Sequence, residues 1–133
     1  MVMIMKFNKL IPELSVSNIN RSRDFYLQLG FEIKYEREND KFIFIELNGS
    51  QIMLQENNNN WNTGNLEFPY GRGVNFSIEV KDVSALYEYL MKRKYPLFSE
   101  LMTNEYVVDG EKYIEKEFLI QDLDGYLLRF TQE

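Results

Sequence analysis

The chain has 133 residues, 44% of them hydrophobic, and a formal net charge of −6. That length suits one domain with a real core; the absence of cysteine excludes disulfides and thiol chemistry, and the absence of histidine removes the commonest transition-metal ligand and general base. The acidic balance argues against nucleic acid, whose affinity comes mainly from phosphate neutralisation, and mildly favours cationic ligands, although acidity also simply keeps proteins soluble.

Residues 1–7 are apolar but too short for a signal peptide, and no apolar run spans a bilayer. The expectation is a soluble, cytoplasmic protein without membrane or nucleic-acid partners. The start Val2-Met3-Ile4-Met5 either reaches a partner or extends the first strand. Residues 11–16 read as a strand, and Asn18 as the N-cap of a helix with Ile19, Tyr26 and Leu29 on one face. Gly30 ends that helix. Strands follow at 31–37, 41–48 and 50–55, with turns at Asn39-Asp40 and Asn48-Gly49.

Residues 57–60 form a polar linker, but Trp61, Leu66, Phe68, Pro69 and Tyr70 follow it closely. Either this segment packs as structure or it offers a ligand-facing aromatic. Gly71-Arg72-Gly73 lacks the strand, spacing and lysine of a phosphate loop. The second half then repeats the order: a strand at 74–80, a helix capped by Asp82 with Val83, Leu86 and Leu90 on one face, and strands at 96–100, 113–121 and 126–131.

The two halves echo each other. Val16-Ser17-Asn18-Ile19 matches Val80-Lys81-Asp82-Val83 at an offset of 80 − 16 = 64, and Asn48-Gly49 matches Asp124-Gly125 at 125 − 49 = 76. The expected organisation is one domain of two internal repeats, residues 8–56 and 73–133. The expected fold class is α+β, with two βαβββ modules forming a curved, cleft-enclosing mixed sheet. Residues 101–112 account for the longer second offset and read as a loop beside that cleft, with Tyr106 in its middle.

Strand alternation gives the functional clue. Leu14, Val16, Ile52, Leu54, Phe76, Ile78, Leu128 and Phe130 point toward the helices. The opposite face then carries Glu13, Gln51, Met53, Asn75, Ser77, Glu79 and Arg129. That face is either a solvated surface or the lining of a groove.

Pro12-Glu13-Leu14-Ser15-Val16, Phe25-Tyr26-Leu27-Gln28-Leu29-Gly30-Phe31, Val74-Asn75-Phe76-Ser77-Ile78-Glu79-Val80 and Asp122-Leu123-Asp124-Gly125-Tyr126-Leu127-Leu128-Arg129-Phe130 together resemble the vicinal oxygen chelate superfamily over nearly the whole chain. This is the glyoxalase, bleomycin resistance protein and extradiol dioxygenase group. Trp61-Asn62-Thr63-Gly64 and Pro69-Tyr70-Gly71-Arg72-Gly73-Val74-Asn75 are most similar to its bleomycin resistance branch. The resemblance implies a homodimer with a concave cleft at the subunit interface that sequesters a drug without altering it. It also places the metal ligands of the superfamily's enzymes at Ile11, Met53, Asn75 and Arg129, none of which is a carboxylate or imidazole. No metal and no other cofactor is therefore expected.

The reading is a non-catalytic binding protein for a bleomycin-type small molecule. Phe44, Trp61, Tyr106 and Phe118 would stack planar rings, and Glu13, Glu79 and Glu117 would meet positive groups. Met53, Asn75, Ser77 and Arg129 complete the lining; Arg129 either binds an anion or pairs with Glu13 or Glu79. Two alternatives remain open: a glyoxalase-like lyase or isomerase, or dioxygenase-fold enzyme, on another small substrate, and a small-molecule sensor. Nothing in the chain pairs a nucleophile with a base.

Overall fold

The computed structural model describes residues 5–132, so residues 2–4 of the apolar start lie outside the described residues. The chain divides into two compact units, Met1–Thr63 and Gly64–Glu133.

The first unit runs β1 (Glu13–Val16), α1 (Ile19–Gln28), β2 (Glu32–Arg37), β3 (Phe42–Leu47) and β4 (Ser50–Glu56), with a 3-10 turn at Glu38–Asp40. Its mixed sheet has the order β1-β4-β3-β2, with β1 parallel to β4. Asn18 caps α1 by accepting the Arg21 N–H, which satisfies one of the donors a helix start leaves open. At the far end the Gly30 N–H donates to Leu27 and the Phe31 N–H to Tyr26, both at 3.1 Å, closing a Schellman turn. The rings of Tyr26 and Phe31 meet edge-on at 5.3 Å across it, the apolar contact that accompanies this motif.

The second unit runs β5 (Asn75–Glu79), α2 (Val83–Lys92), β6 (Ser99–Val108), β7 (Glu111–Gln121) and β8 (Leu127–Gln132). Its sheet has the order β5-β8-β7-β6 and the same mixed pairing. The molecule is therefore α+β, two βαβββ modules each with one helix and a four-stranded sheet. The duplication extends to the register. Glu13 pairs with Met53 in the first unit and Ser77 with Arg129 in the second, and the offsets 77 − 13 = 64 and 129 − 53 = 76 are those read from the sequence.

Each sheet buries one apolar face against its helix. In the first unit that face is Leu14, Val16, Ile43, Ile45, Ile52 and Leu54; in the second it is Ile78, Val80, Phe118, Ile120, Leu128 and Phe130. Burying each such side chain stabilises the fold by about 1.5–3 kcal/mol before conformational entropy is subtracted. No helix among the described residues is long and apolar enough to cross a membrane.

One expectation is overturned. Residues 101–112 are not a loop: they extend β6 and β7 into a long antiparallel hairpin, with Tyr106 opposite Tyr113 and Val108 opposite Glu111. Asp109 and Gly110 both have positive φ, the geometry of the two-residue hairpin turn that Asp-Gly favours. The inserted residues lengthen strands instead of leaving a lid, and β6 starts at Ser99 where a strand at 96–100 was expected.

The segment between the repeats divides in its behaviour. Pro69, Tyr70 and Gly71 pack on the loop at 122–126: the Tyr70 N–H donates to the Asp124 carbonyl at 2.8 Å, and the rings of Tyr70 and Tyr126 meet edge-on at 5.9 Å. Trp61 and Phe68 do not join a core and remain 88% and 63% exposed.

Candidate functional site

The faces turned away from the helices carry most of the polar candidates. On the first sheet, cross-strand rows run Glu13–Met53–Phe44–Tyr35 and Ser15–Gln55–Phe42–Arg37. Glu13 is exposed and Met53 half-buried. Phe44 is almost wholly buried, with Tyr35 stacked on it at 5.2 Å and Phe7 edge-on at 5.4 Å. The Arg37 guanidinium covers Phe42 at 4.2 Å. Beyond these rows, Lys34 pairs with Glu32 at 3.3 Å and Glu46 at 3.6 Å, and its pKa is raised, mainly by the Glu32 hydrogen bond and then by the charge of Glu46. Glu46 also accepts from Gln51 Nε2 at 2.7 Å.

On the second sheet the rows run Ser77–Arg129–Leu119–Ser99 and Glu79–Thr131–Glu117–Met102. Asn75, Ser77 and Glu79 are exposed, and Arg129 is half-buried. The centre of this face is Glu117, only 8% exposed. Its Oε1 accepts from Asn104 Nδ2 at 2.9 Å. Its Oε2 has no hydrogen bond and sits 3.8 Å from Arg129 Nη1, too long for one. Arg129 Nε is also buried without an acceptor. Glu117 thus faces Arg129, an approach absent from the sequence reading because it depends on diagonal register between β7 and β8. Glu79 and Glu117 share one cross-strand row of this face, and Arg129 lies in the next.

Two expected aromatic positions differ from a groove lining. Phe118 points to the helix side, stacked on Phe130 at 5.5 Å and edge-on to Tyr87 of α2 at 5.4 Å, with none of its surface exposed. It is one residue out of phase with Glu117, and strand parity sends it into the core. Trp61 lies beside the turn at residues 57–60, where Asn57 Oδ1 accepts from the Asn59 N–H and from Asn62 Nδ2, and it is largely exposed. Tyr106 lies in the hairpin, stacked on Tyr113 at 5.8 Å and partly exposed. The residues missed by sequence reasoning are Phe7, Tyr35 and Asn104.

A divalent metal does not fit the four positions the superfamily's enzymes use. Ile11 has no donor atom, Met53 offers a soft thioether, Asn75 a weak neutral oxygen and Arg129 a permanent positive charge. Among the described residues no three His, Cys, Asp or Glu side chains converge.

The description Glyoxalase/Bleomycin resistance protein/Dioxygenase superfamily matches residues 6–130. The chain belongs to this superfamily. Among solved structures, a glyoxalase/bleomycin resistance protein/dioxygenase superfamily member from Vibrio splendidus 12B01 is 35% identical, covering 91% of this chain and 95% of that one, with a TM-score of 0.44. The glyoxalase/bleomycin resistance protein/dioxygenase from Alicyclobacillus acidocaldarius is 20% identical over 94% and 90% of the two chains, with a TM-score of 0.64. TioX from Micromonospora sp. ML1 is 16% identical over 95% and 98%, with a TM-score of 0.71. A comparison with curated proteins finds no match. For the glyoxalase/bleomycin resistance superfamily, the duplicated register described above is what makes the Met53 and Arg129 positions equivalent, one in each module.

Proposed function

We propose that this superfamily member is a non-catalytic small-molecule binding protein that holds a cationic, ring-bearing ligand of the bleomycin type. The observation that carries this reading is the pair Met53 and Arg129, equivalent in register, with a thioether and a guanidinium where a metal enzyme needs anionic or imidazole donors. What these faces offer instead is non-covalent: carboxylates at Glu13, Glu79 and Glu117, exposed hydrogen-bonding side chains at Asn75 and Ser77, and aromatic rings at Tyr35 and Tyr106, with Phe44 buried against Tyr35. Such groups bind cations and planar rings, and none is arranged as a nucleophile with its base. Function is then mass action: free ligand falls as protein rises.

The working form is proposed to be a cytoplasmic homodimer. Trp61 and Phe68 are mostly exposed, and Phe68 borders a largely apolar cavity of about 290 Å³ with Pro96, Phe98 and Leu123. Symmetric pairing is the usual cover for such surface.

Calorimetric titration with bleomycin tests the reading. Binding at micromolar concentration or tighter, with protein that elutes free of stoichiometric divalent metal, is expected. Absence of heat with folded protein rejects this ligand, and one equivalent of bound zinc, nickel or manganese rejects the non-catalytic reading. Sedimentation at tens of micromolar is expected to give twice the chain mass.

A further inference from the structure

We propose that Phe7 is a plug: it occupies an aromatic shelf made by Tyr35 and Phe44 that takes a planar ring of the ligand, and the arm carrying it must swing away for that ring to enter. This rests on the small-molecule binding reading and adds a gate to it.

The arm is not a strand. No ladder of backbone hydrogen bonds joins residues 6–8 to the sheet; a single side chain does most of the holding. Gln51 Oε1 accepts the Asn8 N–H at 2.7 Å, and Gln51 Nε2 donates to the Lys6 carbonyl at 2.7 Å. The two bonds bracket Phe7. Asn8 Nδ2 adds one bond to the Gly49 carbonyl at 2.8 Å. Gln51 is nearly buried and is itself oriented by Glu46, so the latch is built rather than incidental.

Phe7 rests on the shelf by its edge. Its ring lies 5.4 Å from Phe44 at 89° and 6.5 Å from Tyr35 at 80°. It remains 56% exposed, so it covers the shelf without being part of the core. Tyr35 and Phe44 are stacked and nearly parallel, 16° apart. A planar ligand ring in the place of Phe7 meets the same stacked pair, by edge or by face, since aromatic pairs accept either geometry. Glu13 and Met53 share the cross-strand row with Phe44 and Tyr35. Glu13 supplies an exposed negative charge and Met53 a polarisable flank. The shelf therefore suits a planar aromatic cation. Because the plugged state does not bind, apparent affinity is reduced by the open fraction, and removing the plug removes that reduction.

The probe is ethidium, a planar aromatic cation, titrated by fluorescence into the full chain. Phe7→Ala is expected to bind about five- to tenfold tighter than wild type, on the scale of a latch that is mostly closed. Phe7→Tyr is expected to match wild type, and Phe7→Ala/Tyr35→Ala to lose the gain. Hydrogen exchange on wild type gives a readout that survives if Phe7→Ala fails to fold: ethidium is expected to speed exchange of the Asn8 amide as Gln51 lets go. Equal or weaker ethidium binding by folded Phe7→Ala, or an Asn8 amide that stays protected at saturation, overturns the plug. Bleomycin titration of the same samples separates the claims. Bleomycin bound with Asn8 still protected defeats the plug and leaves sequestration standing. Tighter ethidium binding by Phe7→Ala with no bleomycin bound does the reverse.

Discussion

Glu56 holds the start of α1 from the end of β4: its Oε1 accepts the Ile19 N–H at 3.1 Å, while its Oε2 pairs with Lys41 Nζ at 2.9 Å. The second unit repeats the device with a neutral group, Gln132 Oε1 accepting the Val83 N–H at 2.8 Å. The offsets are again 83 − 19 = 64 and 132 − 56 = 76. Each module thus closes by tying the last strand to the first turn of its helix, beside the local caps at Asn18 and Asp82.

The charge on Glu56 makes the first closure pH-dependent and leaves the second insensitive. Its carboxyl is held below the ordinary carboxylate range, first by the Lys41 hydrogen bond and then by the Ile19 N–H. A group whose folded pKa is depressed stabilises above its unfolded pKa, and that contribution disappears as pH falls through the folded value. Glu56→Gln is therefore expected to lower stability by about 1 kcal/mol at neutral pH, in the range of a cap or charge-assisted bond at a partly exposed site. The difference from wild type should vanish in acid. Gln132→Ala should cost a similar amount at every pH. Thermal melts of the variants across pH 3–8 check both.

The helix ends differ in one residue with a measurable consequence. Lys94 occupies the position after α2 that Gly30 occupies after α1, with φ of 56°, and makes the same turn through its N–H to Met91 and the Tyr95 N–H to Leu90. A side chain in the left-handed region costs about 1 kcal/mol that glycine does not. Lys94→Gly is expected to stabilise by roughly 0.5–1 kcal/mol, and Gly30→Ala to destabilise by about 1 kcal/mol or more. Denaturant midpoints at unchanged slope give the comparison.

These elements are legible in sequence because their signals are local. Asn18 and Asp82 precede the helices they cap, Gly30 and Asn48-Gly49 follow the segments they end, and Phe76 and Ile78 alternate cleanly with Ser77 and Glu79. Where the signal is not local, reading stops. Phe42-Ile43-Phe44-Ile45 and Phe118-Leu119-Ile120 are continuous apolar runs, and such runs hide which face a ring takes; Phe118 goes to the helix and Phe44 to the other side. Asp109-Gly110 is a hairpin turn inside residues that have no counterpart in the first repeat, so comparison of the halves obscures it. Phe7 lies between Lys6 and Asn8 with no periodic neighbours, and its place on Tyr35 and Phe44 depends on Gln51, more than 40 residues away in sequence. The Glu117–Arg129 contact depends on a diagonal between strands that pairing alone sets.

Tyr95 provides a probe of the second unit. Its hydroxyl donates to the Gln121 carbonyl, and burial first, then the nearby Asp122 charge, push its pKa up to about 12. A raised folded pKa gives stability that is complete below the unfolded value and is lost as pH rises through about 12. Among the tyrosines Tyr95 is expected to ionise late in a spectrophotometric titration. Tyr95→Phe should remove that late step and cost about 1–2 kcal/mol by leaving the carbonyl without its partner.

Gly125 is required by packing. A Cβ there would lie 2.5 Å from Pro69 Cα and 3.1 Å from the Tyr70 nitrogen, in a backbone conformation with φ of +98°. The neighbours are backbone atoms and cannot turn aside. Gly125→Ala is expected to destabilise by about 3 kcal/mol or more, combining overpacking with an unfavourable φ. The hydrogen bond from the Tyr70 N–H to the Asp124 carbonyl should be lost with it, seen as faster exchange of the Tyr70 amide.

Glu117 and Arg129 separate stability from binding. The 3.8 Å gap and the unsatisfied Oε2 and Nε mean that folding gains little from the pair. A double-mutant cycle is expected to give a coupling of about 1 kcal/mol or less, since Arg129 is also partly exposed to solvent. Glu117→Gln keeps an oxygen for Asn104 and removes the buried charge, so it should be neutral to slightly stabilising in thermal melts. Arg129→Met should cost about 1 kcal/mol or less, because it takes a weakly placed counter-charge from the carboxylate. A cationic ligand approaching this face gains from the carboxylate that folding leaves under-used, so Glu117→Gln should weaken bleomycin binding by about tenfold, the value of one charge-assisted hydrogen bond. Arg129→Met should leave binding unchanged or tighten it by removing a like charge. Opposite signs for the two variants in calorimetry, with melting temperatures moving the other way, are what this arrangement requires; loss of binding in both would place an anionic group of the ligand on Arg129 instead.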